Sequence, residues 1–371
     1  MSAPETFDIF LVAAPGLETL LADEAREAGF ADAAPVLGGV TLNGGWDALM
    51  RANLVLRGAT RVLVRIGSFR AMHLAQLDKR ARKLAWGDWL RPDTPVAVEA
   101  SCRKSKIYHA GAAAQRVATA IAEELGAPVV ERAAVTVMAR IEDDLVTISL
   151  DASGESLHKR GYKEAVNRAP MRETMAALFL RAAGFDGNEP VYDPMCGSGT
   201  FVIEAAERAL GLVPGRERRF AFEHLVGFEA GALARLKAGM APHATALRFY
   251  GSDRDVGAMA MSRENAARAG VADITSFSEL DVAEITPPDG PPGLVIANPP
   301  YGLRLGDRRD VQGLYAALGK ALKSRFKGWR VAIITTEPGL AKQTTLPFLP
   351  PGKPVLHGGI RVQLFQTAAL R

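Results

Sequence analysis

Apolar and polar positions follow two periods along this chain, and each change of period marks an element. Thr6 to Val12 is rich in β-branched and aromatic residues and predicts a strand. Leu17, Leu20, Leu21 and Ala25 recur at helical spacing up to Gly29, after a Pro15-Gly16 turn. Val36 to Leu42 predicts a second strand, closed by Asn43-Gly44-Gly45. Trp46 to Leu54 predicts an amphipathic helix, and Thr60 to Phe69 alternates as a strand. This βαββαβ-like rhythm implies a small ferredoxin-like unit over residues 1–70.

The character then shifts. Leu74, Leu77, Ala81 and Leu84 define a helix studded with Lys79, Arg80, Arg82 and Lys83. Thr94 to Ser101 predicts a strand, followed by the basic run Cys102-Arg-Lys-Ser-Lys-Ile-Tyr-His109. An alanine-rich helix runs from about Gly111 to Leu125, and Val135–Arg140 with Leu145–Leu150 predicts a hairpin around Glu142-Asp-Asp144. Leu157-His-Lys-Arg-Gly-Tyr-Lys163 is polar and basic and reads as a join to the second half. A helix with Met175, Leu178, Phe179 and Ala182 on one side starts at Pro170.

Two stretches of the second half carry chemistry. In Pro190-Val-Tyr-Asp-Pro-Met-Cys-Gly-Ser-Gly-Thr-Phe-Val-Ile-Glu204 a short strand turns through glycines into a helix. The glycines allow close backbone approach, and free N–H groups at the helix start suit a carboxylate or phosphate. Leu294-Val-Ile-Ala-Asn-Pro-Pro-Tyr-Gly302 is an apolar strand ending in Asn-Pro-Pro-Tyr. Its two prolines fix φ and remove two donors, which holds the carbonyls around Asn298 and Pro299 beside an aromatic face. Such a site suits a planar ring bearing an exocyclic amine. Between them, Arg248 to Asp255 predicts a strand ending in acids. An acid in that place accepts hydrogen bonds from ribose hydroxyls; Asp253 is the first choice, and Asp255 doubles as a helix N-cap. Ile274–Phe277, Arg330–Thr336 and Ile360–Thr367 predict further strands, with helices over Val256–Ala269 and Leu314–Phe326. Phe220 to Pro242 reads as an insertion, open to covering the site or touching RNA.

Asp193-Pro-Met-Cys-Gly-Ser-Gly-Thr200 followed by Asn298-Pro-Pro-Tyr-Gly302 resembles the S-adenosylmethionine-dependent amino-methyltransferases of class I fold. Within them it is similar to the subgroup with an N-terminal THUMP RNA-binding domain, which makes N2-methylguanosine in ribosomal or transfer RNA. The resemblance covers most of the chain. It implies an α/β Rossmann-like domain with a mostly parallel seven-stranded sheet over 161–371, preceded by a ferredoxin-like domain (1–70) and a THUMP domain (71–160). It implies a donor site of Asp193, Pro194, Met195, Cys196, Gly197, Ser198, Gly199, Thr200, Asp253, Arg254, Asp281 and Val282, with Asn298 touching donor and base. Arg168 and Thr174 are further lining candidates, and Leu303–Gly306 a loop approaching substrate. Asn298, Pro299, Pro300 and Tyr301 form the implied catalytic set, and Arg103, Lys104, Lys106, Tyr108, His109, Lys159 and Arg160 the implied grip on RNA. Large-subunit 23S rRNA is the implied substrate, with tRNA next. A DNA adenine-N6 methyltransferase, which also uses Asn-Pro-Pro-Tyr, and a non-catalytic RNA assembly factor are the alternatives. The turn lacks the third glycine of a nicotinamide site.

A ring amine is a poor nucleophile, because its lone pair is delocalised into the ring. The Asn298 side-chain carbonyl and the Pro299 backbone carbonyl can accept its two hydrogens while Tyr301 stacks on the base. The base must be unpaired or extruded to reach them. Cys196, inside the donor turn, reads as a small packing residue rather than a nucleophile.

Charge sharpens the RNA reading. The chain has 371 residues and a formal charge of only +4, but Arg51 to Arg116 holds about fourteen Lys/Arg against about four Asp/Glu. Beside an RNA site, that surplus predicts phosphate contacts. Two cysteines, Cys102 and Cys196, form neither a disulfide framework nor a zinc spacing and fit a reducing cytoplasm. No apolar run spans a bilayer, and neither a metal site nor a membrane partner is expected.

Overall fold

The computed structural model describes residues 4–164, 171–301, 308–357 and 359–371. Chain contacts divide it into two compact units. Unit 1 holds residues 1–13, 21–157 and 215–239; unit 2 holds 14–20, 158–214 and 240–371.

In unit 1 the elements are β1 (Phe7–Val12), α1 (Glu18–Glu27), β2 (Ala34–Val36), β3 (Gly39–Gly44), α2 (Trp46–Val55), β4 (Arg61–Arg70), α3 (Leu74–Ala81), β5 (Val96–Arg103), α4 (Ala110–Leu125), β6 (Val135–Glu142) and β7 (Leu145–Asp151). α1 straddles the unit boundary. They build one seven-stranded sheet in the order β2-β3-β1-β4-β7-β6-β5. The ferredoxin-like and THUMP segments therefore share a sheet, joined where β4 pairs antiparallel with β7. Along β6 buried and less buried residues alternate, as expected where one face of a sheet is covered. The predicted single strand Val36–Leu42 is instead a tight hairpin, because Gly38 at φ +82 turns the chain between β2 and β3. The predicted β6–β7 hairpin closes through Asp143 and Asp144, both at positive φ, the geometry of a type I′ turn.

The segment read as an insertion folds with unit 1. Within it lie a 3₁₀ turn at Ala221–His224 and helix α5 (Ala230–Ala238). The Phe222 and Val226 amides donate to the carbonyls of Ala152 and Trp89 (3.0 and 2.9 Å), and Phe228 packs by Trp46.

Unit 2 contains α6 (Glu173–Ala182), β8 (Val191–Asp193), α7 (Thr200–Ala209), β9 (Phe249–Asp253), α8 (Val256–Arg268), β10 (Thr275–Glu279), β11 (Leu294–Ala297), α9 (Arg308–Arg325), β12 (Arg330–Thr335), α10 (Pro338–Gln343), β13 (Val355–His357) and β14 (Ile360–Gln366). The expected start at Pro170, and the candidates Arg168 and Leu303–Gly306, lie outside the described residues. The sheet order is β10-β9-β8-β11-β12-β14-β13, parallel except at β14 and β13. β8 and β11 are buried throughout, and β11 accordingly reads as a continuous apolar run, Leu294-Val-Ile-Ala297, rather than an alternation. One core joins Tyr192, Val295, Tyr315, Phe326 and Ile333. Strand order reverses at β8, where β9 flanks one side and β11 the other. In open α/β sheets such a switch point, at the carboxyl ends of the strands, receives ligands.

Candidate functional site

The glycine turn leaves β8 at Asp193 and enters α7 at Thr200. Its bends are made by Gly197 (φ +52) and Gly199 (φ +81). A Cβ on Gly199 would press on Phe277 and Ser262 at 3.2 Å, whereas a Cβ on Gly197 would meet nothing within 4 Å. One side of the turn is packed and the other is open to a ligand.

The packed side is heavily bonded. Asp253, at the end of β9, accepts from the Gly197 amide (3.1 Å) and the Asp255 amide (3.1 Å). Cys196 N donates to the Ser252 carbonyl (3.0 Å), Ser262 Oγ to the Gly197 carbonyl (2.7 Å), and Asn265 Nδ2 to the Ser198 carbonyl (3.1 Å). Cys196 is buried, and burial pushes its thiol up, away from thiolate chemistry. The fully buried Asp193 accepts from the Met195 amide (3.0 Å). Burial, with the Asp253 charge added, pushes its carboxyl up to about 8 against the Met195 bond. It holds its proton at neutral pH.

Asn298 follows β11, the parallel neighbour of β8, with Leu294 opposite Val191 and Val295 opposite Tyr192. Both loops thus emerge from the same end of adjacent strands, and Met195 and Tyr301 pack on one core cluster. Asn298 Oδ1 is buried and, among the described residues, accepts no hydrogen bond. A buried orphan of this kind costs about 1–3 kcal/mol, and in a native site it calls for a partner from outside. Pro299 is buried; Pro300 and Tyr301 are half-buried.

The other candidates divide. Asp255 is the N-cap of α8, accepting from Gly257 and Ala258. Asp281 is exposed and accepts from the Ala283 amide (2.8 Å), a local turn. Val282 is buried in the core and Arg254 is exposed. Thr174 is buried on α6.

In unit 1 the basic run forms a tight loop. The Lys106 amide donates to Asp144 Oδ1 (2.7 Å) and Ser105 Oγ receives the Asp144 amide (3.1 Å), so the loop is tied to the β6–β7 turn, with Lys104 at φ +47. Tyr108 is 85% exposed. Arg103 is exposed and 3.6 Å from Glu142. His109 caps α4: its Nδ1 accepts from the Ala112 amide (3.0 Å). Lys159 is exposed, but Arg160 is 3% exposed, with its guanidinium against Glu204 at 3.5 Å. An RNA-facing role for Arg160 is therefore withdrawn: it is an internal ion-pair residue.

Sequence reasoning missed Ser262, Asn265 and Lys163. Ser262 and Asn265 are polar residues three apart on the buried side of α8, alongside Ala258, Met259 and Ala266. That misplaced polarity was the available signal. Lys163 donates to Thr200 Oγ1 at 2.8 Å and had none beyond its place in a basic run.

Residues 160–346 match the family model described as the RMKL-like methyltransferase domain. The chain belongs to the RMKL-like methyltransferase family. Ahead of that domain, residues 8–63 match the RlmL ferredoxin-like domain and 71–151 the THUMP domain. This RMKL-like chain is 34% identical over 359 residues to ribosomal RNA large subunit methyltransferase K/L of Chromohalobacter salexigens, covering 91% of the chain and 49% of the relative. The chain thus spans about half the length of that protein. To slr0064 of Synechocystis sp., named as a candidate RNA methyltransferase, it is 31% identical over 349 residues, covering 91% and 90%. The crystal structure of SMU.472 with bound SAH superposes with a TM-score of 0.90 at 26% identity over 99% of each chain. A Listeria monocytogenes protein, described on prediction as an N6-adenine-specific DNA methylase, gives 0.89 at 30% identity over 98% and 96%. The RMKL-like domain is a class I methyltransferase fold preceded by ferredoxin-like and THUMP segments.

Proposed function

We propose that this protein transfers a methyl group from S-adenosylmethionine to the exocyclic N2 amine of a guanosine in RNA, with large-subunit 23S rRNA as substrate and the cytoplasm as its place of work. The observation that carries the reading is the buried Asn298 Oδ1, unpartnered among the described residues, at the strand end beside the glycine turn. The orphan acceptor matches an amine hydrogen, and Pro299, which has no N–H, offers a second carbonyl. The half-buried ring of Tyr301 presents a face on which a base can stack.

The residues fit an adenosyl donor. Gly197 leaves room above the turn, the start of α7 offers amides, and Asp253, at the end of β9, is the acid that would accept from the ribose hydroxyls. When bound, the donor supplies an electrophilic methyl group on a sulfonium, an excellent leaving group. By accepting the two amine hydrogens, Asn298 and Pro299 raise the electron density on the nitrogen and orient its lone pair toward the methyl group. The product ammonium is acidic, so no strong general base is needed. The exposed Arg103, Lys104, Lys106 and Tyr108 supply phosphate and stacking contacts.

The described Listeria neighbour favours a second reading, methylation of adenine N6 in DNA, since the same acceptor pair suits that amine. Incubation with radiolabelled S-adenosylmethionine and 23S rRNA, tRNA or duplex DNA separates them. Label recovered as N2-methylguanosine from 23S rRNA is expected. Label recovered as N6-methyladenine in DNA would overturn the proposal, and label in tRNA would move the substrate.

A further inference from the structure

The segment from His158 to Lys163 enters unit 2 as a strap whose polar side chains turn largely inward. Lys163 is 8% exposed at its side chain and Glu173 4%. The Lys163 ammonium donates to the Met171 carbonyl (3.0 Å) and Thr200 Oγ1 (2.8 Å), and lies 3.3 Å from Glu173 Oε1. These acceptors sit ahead of α6, on its first residue and on the first residue of α7. The strap reaches the turn by a second route. Arg268 Nε donates to the Tyr162 carbonyl (2.7 Å), its other end donates to Asn265 Oδ1 (2.6 Å), and Asn265 donates to the Ser198 carbonyl (3.1 Å). Ser198 and Thr200, the two neighbours of Gly199, are thus both held by the strap.

A buried pair of this kind is weak as a source of stability. Burial lowers the Lys163 pKa and raises that of Glu173, with each opposing the effect on the other. A cation behind the first residue of a helix is also the wrong sign for the helix dipole. α7 begins at Gly199 with no side-chain cap. The arrangement becomes favourable when an anion occupies that helix start. The anionic group of the methyl donor is its carboxylate.

We propose that Lys163 is a positioning residue for the amino-acid end of the donor, an inference that rests on the donor reading above. By donating to Thr200 Oγ1 it commits that oxygen as an acceptor, so the Thr200 O–H is left to donate. Its charge adds to the positive potential at the start of α7. Lys163 acts through Thr200 and the helix end.

The test compares S-adenosylhomocysteine with 5′-methylthioadenosine, which lacks the amino-acid end, by calorimetry on the full chain. Lys163→Met is expected to weaken S-adenosylhomocysteine about tenfold and to leave methylthioadenosine within about twofold. Lys163→Arg is expected to restore most of the loss. Equal weakening of both ligands would reduce Lys163 to a structural brace, and no weakening of either would end the proposal. If Lys163→Met fails to fold, the double variant with Glu173→Gln, which removes both buried charges, is read against the same criteria. Wild-type protein that binds neither ligand would overturn the donor reading itself.

Discussion

The two loops that leave β8 and β11 start side by side and are built on opposite principles. The glycine turn is braced: Asp253, Ser262, Asn265 and Ser252 bond amides and carbonyls within it. The Asn298 loop carries a buried acceptor that the described residues leave bare. That bracing makes a rigid cup whose shape exists before the ligand arrives, which lowers the cost of binding. An unmet acceptor does the reverse: the chain bears its desolvation, and an arriving amine relieves it. The first loop is organised to hold, the second to select.

The largest effect should come from removing the selecting group. Asn298→Ala is expected to lower kcat about 10²–10³-fold while S-adenosylhomocysteine affinity stays within about twofold. Equal turnover would sink the contrast. Replacing Arg103, Lys104 and Lys106 by Ala should weaken RNA binding about tenfold or more at low salt, and flatten the plot of log affinity against log salt by roughly 2. Donor affinity should not move. Next in size is Gly199→Ala. The residue sits at φ +81 with Phe277 and Ser262 at 3.2 Å from the new methyl, so a loss of about 1–2 kcal/mol in unfolding free energy is expected by chemical denaturation. A neutral result would mean that the cup is softer than its hydrogen bonds imply.

A further effect concerns pH. Asp193 titrates near 8 when folded and near 3.9 when unfolded, so the folded form holds the extra proton. Its contribution to stability is complete below about pH 4 and is lost as pH rises to about 8. The melting temperature of ligand-free protein should fall from pH 5 to 8.5, and Asp193→Asn should flatten that fall. A variant with the wild-type slope would place the titrating group elsewhere.

Much of unit 2 was legible, because buried parallel strands write themselves as apolar runs and the two loops carry residues with rigid backbone meaning. Gly197, Gly199, Pro299 and Pro300 are of that kind. The supports behind the cup were not legible. Ser262 and Asn265 are ordinary residues until the fold sets them against the carbonyls of Gly197 and Ser198, some sixty-five positions away. Arg160 misled for the matching reason: a basic run carries no mark of which member turns inward, and Glu204 is forty-four positions on. The β2–β3 turn was missed because Leu37 continues an apolar stretch, interrupted by Gly38-Gly39, before Val40 resumes it.

The return of residues 215–239 to the first unit has a practical outcome. Neither half is a single uninterrupted piece of polypeptide, so one proteolytic nick or one truncation point cannot separate them cleanly. During synthesis, the sheet that begins at Phe7 lacks its last packing partners until Gly239 has left the ribosome. By then β8 and the glycine turn are already out while β9 to β14 are not, so the first unit is complete in sequence before the second has its sheet.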